Sequence, residues 1–218
     1  MRFLAACLAL CGALFLTTQA RAQSAFEAAK DAGRRGDYTA AATLFQQTCT
    51  SGEAQGCIGL GIIYEKGLGL AKDEAQAAAL YEQACDGGEM GGCSMLGILY
   101  AQGRGVGKNE SRAAALFEQA CNGGDFFSCV GIGFIYKLGL GVAKDESRAA
   151  GLFQRACTGG EALGCSNLGT MYEQGQGVTK SRARALQLYR QALTLKPNPE
   201  DTDAIQASIA RLSGAPTH

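Results

Sequence analysis

Gly56-Cys57-Ile58-Gly59-Leu60-Gly61-Ile62-Ile63-Tyr64 is the stretch that decides the fold, because it returns at a fixed interval along the chain. Thirty-six residues later the chain reads Gly92-Cys93-Ser94-Met95-Leu96-Gly97-Ile98-Leu99-Tyr100, and related copies occupy residues 128–136 and 164–172. A period of this length is typical of repeat proteins, in which each copy is one supersecondary unit. The sequence therefore predicts an array of four similar units.

Each copy predicts two helices joined by a glycine-rich connector. In the first copy an apolar stripe at helical spacing begins near Glu53 and ends near Tyr64. The connector, residues 67–73, contains Gly-x-Gly, which breaks helices. The second helix is expected to begin at a side chain that caps helix N-termini and to end at a pair of glycines with left-handed backbone. The expected caps are Asp73, Asn109, Asp145 and Ser181, and the glycine pairs are residues 87–88, 123–124 and 159–160.

The apolar stripes of the two helices determine the fold class. The inward stripes are Cys57, Leu60, Gly61 and Tyr64 on the first helix of the first copy, and Ala77, Leu80, Tyr81 and Ala84 on the second. An antiparallel pair of such helices cannot bury both stripes alone, so neighbouring pairs must stack. We therefore expect an all-α fold, namely an α/α solenoid of stacked antiparallel helix pairs with 36-residue repeats.

The cysteines follow the same interval and are expected to bridge the repeats. Cys49, Cys85, Cys121 and Cys157 form one series, and Cys57, Cys93, Cys129 and Cys165 form the other. Pairing Cys57 with Cys85 inside a repeat would leave Cys49 and Cys165 without partners at opposite ends of the array. The short pairing uses all eight, and it predicts Cys49–Cys57, Cys85–Cys93, Cys121–Cys129 and Cys157–Cys165. Structural zinc sites favour cysteines two to four residues apart, so we expect no metal site and no cofactor.

Residues 1–22 predict an export signal. Arg2 supplies the positive end, Phe3–Leu16 is an apolar run too short to span a bilayer, and Ala20-Arg21-Ala22 is a small-x-small cleavage site. Leu4–Cys7 superficially resembles a lipoprotein box, but it precedes the apolar run instead of following it, which favours ordinary cleavage over lipidation. The mature protein is therefore expected in the periplasm or secreted, without insertion in the membrane.

The charge balance excludes one class of partner. The chain has 20 basic and 20 acidic residues, and loss of residues 1–22 would remove two arginines and no acid, leaving a net charge of about −2. Nucleic-acid-binding domains carry a strongly basic patch or stripe. We therefore expect no nucleic-acid partner.

The repeat resembles a known family. Its pattern, Leu-Gly-x-x-Tyr-x-x-Gly-x-Gly-Val-x-x-Asp-x-x-x-Ala-x-x-Leu-Tyr/Phe-x-x-Ala, is similar to the Sel1-like repeat, a relative of the tetratricopeptide repeat. The Cys-x7-Cys pairs resemble the secreted Helicobacter cysteine-rich protein family. Gly36–Ala41, and Leu188–Leu193 followed by Pro197, resemble parts of tetratricopeptide units that would cap the array. The expected organisation is a signal peptide (1–22), a tetratricopeptide-like helix pair (23–52), four Sel1-like repeats (53–88, 89–124, 125–160 and 161–196) and a C-terminal capping helix and tail (197–218).

An enzymatic function is an alternative that the resemblance raises. Some members of the cysteine-rich family carry a β-lactamase label, which implies weak β-lactam binding or hydrolysis. The chain contains no Ser-x-x-Lys and no Lys-Thr-Gly, which serine β-lactamases use. Its only histidine is His218, so the ligands of zinc β-lactamases are missing. We interpret the recurrent carboxylates Glu53, Glu89, Asp125 and Glu161 as helix-start residues, and we expect no catalytic residue.

The leading hypothesis is a protein-binding or peptide-binding scaffold that acts as a monomer. A chaperone-like assembly factor for exported proteins is a third alternative. Residues that differ between copies are free to be specific for a ligand, and on the first helix of each copy they form what we call the first-helix face. That face comprises residues 55, 59, 62 and 66 in the first copy, 91, 95, 98 and 102 in the second, 127, 131, 134 and 138 in the third, and 163, 167, 170 and 174 in the fourth.

First helices are expected to line the concave side of such a solenoid. The candidate groove on it combines apolar Met95, Ile98, Phe127 and Phe134 with polar Asn167, Thr170 and Gln174. The alternative is that these side chains only pack against neighbouring repeats.

Overall fold

The computed structural model describes residues 25–214, so the predicted signal peptide and His218 lie outside the described residues. Within that range the chain forms eleven α-helices and no β-strand. They are α1 (25–34), α2 (Tyr38–Thr50), α3 (Ala54–Lys66), α4 (Glu74–Asp86), α5 (Met90–Gln102), α6 (Glu110–Asn122), α7 (Phe126–Leu138), α8 (Glu146–Thr158), α9 (Ala162–Gln174), α10 (Arg182–Thr194) and α11 (Pro199–Ser213).

The helices fall into two compact units. Within the described residues, the first contains residues 25–99 together with Gly103–Gly107, and the second contains Tyr100–Gln102 and residues 108–214. In the first unit α3 packs between α2 and α4, and in the second unit α6 to α11 pack in chain order. Each unit is therefore a run of successive helix pairs, and the predicted all-α solenoid fold class is confirmed.

Side chains cap the second helices where the sequence predicted. The Asp73 carboxylate accepts a hydrogen bond of 2.9 Å from the Gln76 amide, and the equivalent caps are Asn109, Asp145 and Ser181. The second helices end directly before the glycine pairs, as predicted, but only one glycine of each pair has left-handed backbone. The second glycine is the left-handed one, with φ +88° at Gly88, whereas Gly87 has an ordinary φ of −74°.

The core lies between paired helices and is built around one aromatic residue per second helix. Tyr81, Phe153 and Tyr189 are almost fully buried. Each ring lies against a glycine of its own repeat, because a Cβ at Gly61 would come within 2.6 Å of Tyr81 and one at Gly133 within 2.7 Å of Phe153. The small residue on the first helix thus makes room for the aromatic residue on the second.

One predicted core position is only half-buried. Tyr64 was expected on the inward stripe, but the fully buried residue is its neighbour Ile63, while Cys57 and Leu60 are buried as predicted. In the third repeat a cation lies over the ring at the equivalent position, Tyr136. The Arg148 guanidinium covers the Tyr136 ring, at 4.2 Å from the ring centre, in a cation–π contact.

Four disulfides join the end of a second helix to the start of the next first helix. They are Cys49–Cys57 and Cys85–Cys93 in the first unit, and Cys121–Cys129 and Cys157–Cys165 in the second. These are the four pairs predicted from the sequence. Glycine before the second cysteine brings the helices together, because a Cβ at Gly92 would lie 2.7 Å from the Ala84 Cβ and 2.8 Å from the Cys85 nitrogen.

Candidate binding surface

Exposed large apolar side chains are concentrated on α7, in the second unit. Phe127 is 48% exposed, Phe134 37% and Leu138 60%. These residues lie on one side of the helix, because seven residues make almost two full turns and four make slightly more than one. The Phe134 ring packs edge-on against buried Phe153 at a centroid distance of 5.3 Å. We call Phe127, Phe134 and Leu138 the α7 strip, which is anchored to the core and faces solvent.

Polar residues of α9 accompany the strip, since α9 contacts α7 within the same unit. Gln174 is exposed, and Asn167 is half-buried with its amide nitrogen donating to the Leu163 carbonyl at 2.8 Å. The Thr170 hydroxyl lies 3.2 Å from the Ser166 carbonyl and 3.0 Å from the Tyr189 hydroxyl. Thr170 therefore links α9 to α10, and it is less suited to a ligand than Gln174.

The first unit carries the remaining residues of the candidate groove. Met95 on α5 is 36% exposed, and Ile98 is half-buried. Both side chains expose a smaller fraction of their surface to solvent than Phe127 does. The α7 strip is therefore the part of the candidate groove best suited to bind an apolar ligand.

A cavity that the sequence did not reveal lies in the first unit, between α1, α2 and α3. Its volume is about 390 Å³, and its surface is almost entirely apolar. We call it the amino-terminal cavity. Its apolar lining includes Tyr38, Phe45, Ile62 and Leu68. Gly59 also lines it, and a Cβ there would come within 2.6 Å of the Phe45 ring.

A second recess of about 380 Å³, lined by residues of α1 and α3 and by Glu89, is acidic. Glu27, Glu53 and Glu89 line it together with Gln55 and Lys30. Glu27 pairs with Lys30 at 2.9 Å, whereas neither Glu53 nor Glu89 has an ion-pair partner in the described part of the chain. Both of these carboxylates are half-buried, and neither caps its helix through the side chain. We call this site the acidic recess.

Sequence reasoning also missed two polar clusters that fix pairs of helices. The Tyr81 hydroxyl donates to the Glu65 carboxylate at 2.7 Å, and Glu65 also pairs with Arg104 at 3.0 Å. In the second unit the Tyr189 hydroxyl donates to Glu173 at 2.9 Å, and Arg211 binds the same carboxylate. Burial first, and then the hydrogen bond to Glu65, raise the pKa of Tyr81 above its ordinary value.

The repeats offer a signal for these clusters. Tyr81 and Tyr189 each have a glutamate sixteen residues earlier, whereas Phe117 and Phe153 have Ala101 and Lys137 at the equivalent places. In these four repeats, a tyrosine on the second helix is accompanied by a glutamate on the first helix, whereas a phenylalanine at the same position is not. The clusters connect packed helices, and none of their residues lines the amino-terminal cavity or the acidic recess, so we interpret their role as structural.

The described residues, 25–214, support neither a metal site nor a membrane-spanning helix. No group of three or more His, Cys, Asp or Glu side chains in that range could hold a metal ion. No helix in the same range is long and apolar enough to cross a membrane. The β-lactam alternative also gains no support from this geometry, because the recurrent carboxylates lie at helix starts, as interpreted from the sequence.

Helix pairs that recur every 36 residues, with disulfides between them and solvent-facing apolar side chains on a first helix, define a repeat scaffold of the α/α class. The Sel1 repeat model matches residues 54–89, 92–125, 127–161 and 162–196. The chain belongs to the Sel1 repeat family. The resemblance stated from the sequence is thereby confirmed.

Solved structures share this fold. The protective antigen c5321 of uropathogenic Escherichia coli strains, which displays an SLR fold, is 24% identical over 89% of this chain and 41% of its own, with a TM-score of 0.80. A Sel1 repeat protein from Oxalobacter formigenes is 26% identical over 73% of this chain and 66% of its own, with a TM-score of 0.70. Helicobacter pylori cysteine rich protein B is 25% identical over 66% of this chain and 96% of its own, with a TM-score of 0.48.

The chain spans less than half the length of the first of these structures and about two thirds of the second. No curated protein is significantly similar to it in sequence.

Proposed function

We propose that this protein is an exported, disulfide-bridged scaffold that binds a protein or peptide through its first-helix face. Repeats of this family generally mediate protein interactions. The observation that carries the proposal is the α7 strip, where Phe127, Phe134 and Leu138 keep between about a third and two thirds of their surface in contact with solvent. Exposed apolar patches of this kind mark interaction sites.

The test of this proposal separates binding from packing. Phe127→Ala and Phe134→Ala together remove both rings of the strip. We expect the double variant to lose at least tenfold in affinity for the partner captured from the native periplasm or culture medium, because aromatic anchors dominate interface energies. The melting temperature should change by only a few degrees, because both rings are already partly in water. Binding is measured by surface plasmon resonance and stability by circular dichroism.

The matched control for this test is Leu140→Ala. Leu140 is 39% exposed but lies after the end of α7, outside the first-helix face. Its replacement should leave partner binding unchanged. A double variant that binds normally but melts far below the parent protein would contradict the proposal and assign the rings to the core.

Export is the second part of the proposal. Four disulfides within residues 49–165 support it, because disulfides form and persist in oxidising compartments. The mature chain should begin at Gln23 and sediment as a monomer. Mass spectrometry of the protein from the native host tests the first statement, and analytical ultracentrifugation tests the second. A chain that retains residues 1–22, or that keeps free thiols in its native compartment, would contradict export.

A further inference from the structure

The amino-terminal cavity and the acidic recess are adjacent sites of opposite chemistry. Lys30 lines both of them. On α3, Gln55 lines the recess, and Gly59 and Ile62 line the cavity. Because a helix rises about 1.5 Å per residue, these positions place the two sites roughly 6 to 10 Å apart along α3. An extended peptide advances about 3.3 Å per residue, so two or three residues cover that distance.

The apolar cavity needs an apolar group as its occupant. Phe45, Ile62 and Leu68 offer a surface that a leucine-sized or phenylalanine-sized side chain could cover, and a pocket of about 390 Å³ is large enough for such a group. Lys30 and Arg34 also line the cavity, but their charges are already paired inside α1, with Glu27 and Asp31. An acidic ligand would therefore have to compete with carboxylates that are already in place.

The recess determines the charge of the occupant. Glu53 and Glu89 are the half-buried carboxylates there without an ion-pair partner in the described part of the chain. A lysine or arginine side chain beside them would give these two carboxylates an ion-pair partner. Complementary charge of this kind selects partners and accelerates association.

We propose that the first unit binds an extended, basic–apolar segment of a partner protein, with one large apolar side chain in the amino-terminal cavity and a lysine or arginine two or three residues away in the acidic recess. This inference rests on the scaffold function proposed above and adds the chemistry of the partner. It concerns a part of the molecule that the α7 strip does not include.

The test uses a synthetic peptide library and the oxidised chain from residue 23 to 218. Each peptide has nine residues in a glycine–serine background, with one phenylalanine and, two or three positions away, a lysine, a glutamine or a glutamate. We expect the lysine peptides to bind at least threefold more tightly than the glutamine peptides and at least tenfold more tightly than the glutamate peptides. Binding is measured by fluorescence anisotropy, and the preference for lysine should shrink as salt is raised.

Two variants assign the preference to its residues. Glu53→Gln with Glu89→Gln should reduce the lysine preference to less than twofold. The matched control, Asp86→Asn with Asp203→Asn, changes the net charge equally at two exposed carboxylates outside the recess and should retain the preference. Ile62→Gln should weaken all phenylalanine peptides by at least threefold, and circular dichroism verifies that each variant is folded.

Several results would overturn the inference. They are the absence of binding by any peptide, equal binding of lysine and glutamate peptides, or a lysine preference that survives Glu53→Gln with Glu89→Gln. None of these results bears on the α7 strip, because the capture experiment with Phe127→Ala and Phe134→Ala uses the natural partner. The scaffold function fails only if that experiment fails.

Discussion

Tyr81 illustrates how single residues hold adjacent helices together in this fold. Its ring fills the space above Gly61, and its hydroxyl reaches the Glu65 carboxylate on α3. Glu65 in turn pairs with Arg104, which also binds Glu74 at 2.8 Å. One buried hydroxyl is thereby connected to the start of α4 and to the connector that follows α5.

Replacement of Tyr81 by phenylalanine tests the hydroxyl alone. The ring should still fit, because phenylalanine occupies the equivalent positions 117 and 153. We expect Tyr81→Phe to lower the free energy of unfolding by about 1.5 to 3 kcal/mol at neutral pH, the usual contribution of a hydrogen bond to a charged group. Urea unfolding followed by circular dichroism measures the change. A loss below about 0.3 kcal/mol would show that Glu65 is equally stable with Arg104 alone.

The same variant should respond differently to alkaline pH. Burial and the bond to Glu65 raise the pKa of Tyr81 in the folded protein, whereas in the unfolded chain a tyrosine titrates near pH 10. Above that pH the unfolded chain loses a proton that the folded protein keeps, so stability falls as pH rises, by up to about 1.4 kcal/mol per pH unit for this group. Tyr81→Phe lacks this titration. The stability difference between parent and variant should therefore shrink between pH 9 and 11.

At the scale of elements, the sequence was sufficient for the helix pairs. The capping residues and the connector glycines recur in four copies. A single copy would be weak evidence for a helix pair, but the repetition makes the prediction of helix pairs strong. Disulfide partners followed from the same repetition, because, of the two pairings that repeat regularly along the chain, only the one between neighbouring repeats leaves no cysteine alone. The amino-terminal cavity could not be predicted, because α1, which lines it together with α2 and α3, precedes the repeats. The α7 strip was predictable as a pattern, but its exposure was not, since periodicity does not distinguish a free face from a packed one.

The connectors are elements with a specific fit. In the connector after α5, Gly105 has φ +66°, and a Cβ there would lie 2.1 Å from the Glu74 carbonyl oxygen. The equivalent connectors of the second unit are held by side chains: the Ser111 hydroxyl donates to the Gly141 carbonyl at 2.7 Å, and the Ser147 hydroxyl to the Gly177 carbonyl at 3.2 Å. Each of these connectors therefore lies against the start of the previous repeat's second helix.

A pair of alanine variants in one connector tests this fit. Gly105→Ala should lower the free energy of unfolding by more than about 2 kcal/mol, because it combines a left-handed backbone, which alone costs about 1 to 2 kcal/mol, with a steric clash. Gly107→Ala is the matched control: its Cβ would meet nothing within 4 Å, and its φ is not positive. We expect Gly107→Ala to change the free energy of unfolding by less than about 1 kcal/mol, in either direction. Equal effects in denaturant unfolding would show that the connector moves away from α4 without penalty.

At the scale of the whole molecule, the disulfides act on a chain whose helices mainly contact their neighbours. Each closes a short loop, with the two cysteines eight positions apart. The chain-entropy model assigns such a loop about 2.5 kcal/mol. Four of them would amount to about 10 kcal/mol, which is comparable with the total stability of an ordinary domain of 5 to 15 kcal/mol.

Removal of one disulfide at a time tests this estimate. Cys85→Ser with Cys93→Ser, and separately Cys121→Ser with Cys129→Ser, should each lower the free energy of unfolding by about 2 to 3 kcal/mol, since the two loops have the same length. Reduction and alkylation of all cysteines should leave little helical signal in circular dichroism at 37 °C. A fully reduced chain that remains folded would show that helix packing alone sustains the array.

The position of the four disulfides also determines what a protease would release. Each disulfide spans the turn between repeats, and none spans a connector between the two helices of one repeat. A cut within residues 50–56 would therefore leave the two parts joined through Cys49 and Cys57. A cut within residues 67–73 would separate the chain into two covalently independent fragments, each retaining its own intact disulfides. Under nonreducing electrophoresis, a nicked protein would thus reveal by its fragments which kind of loop had been cleaved.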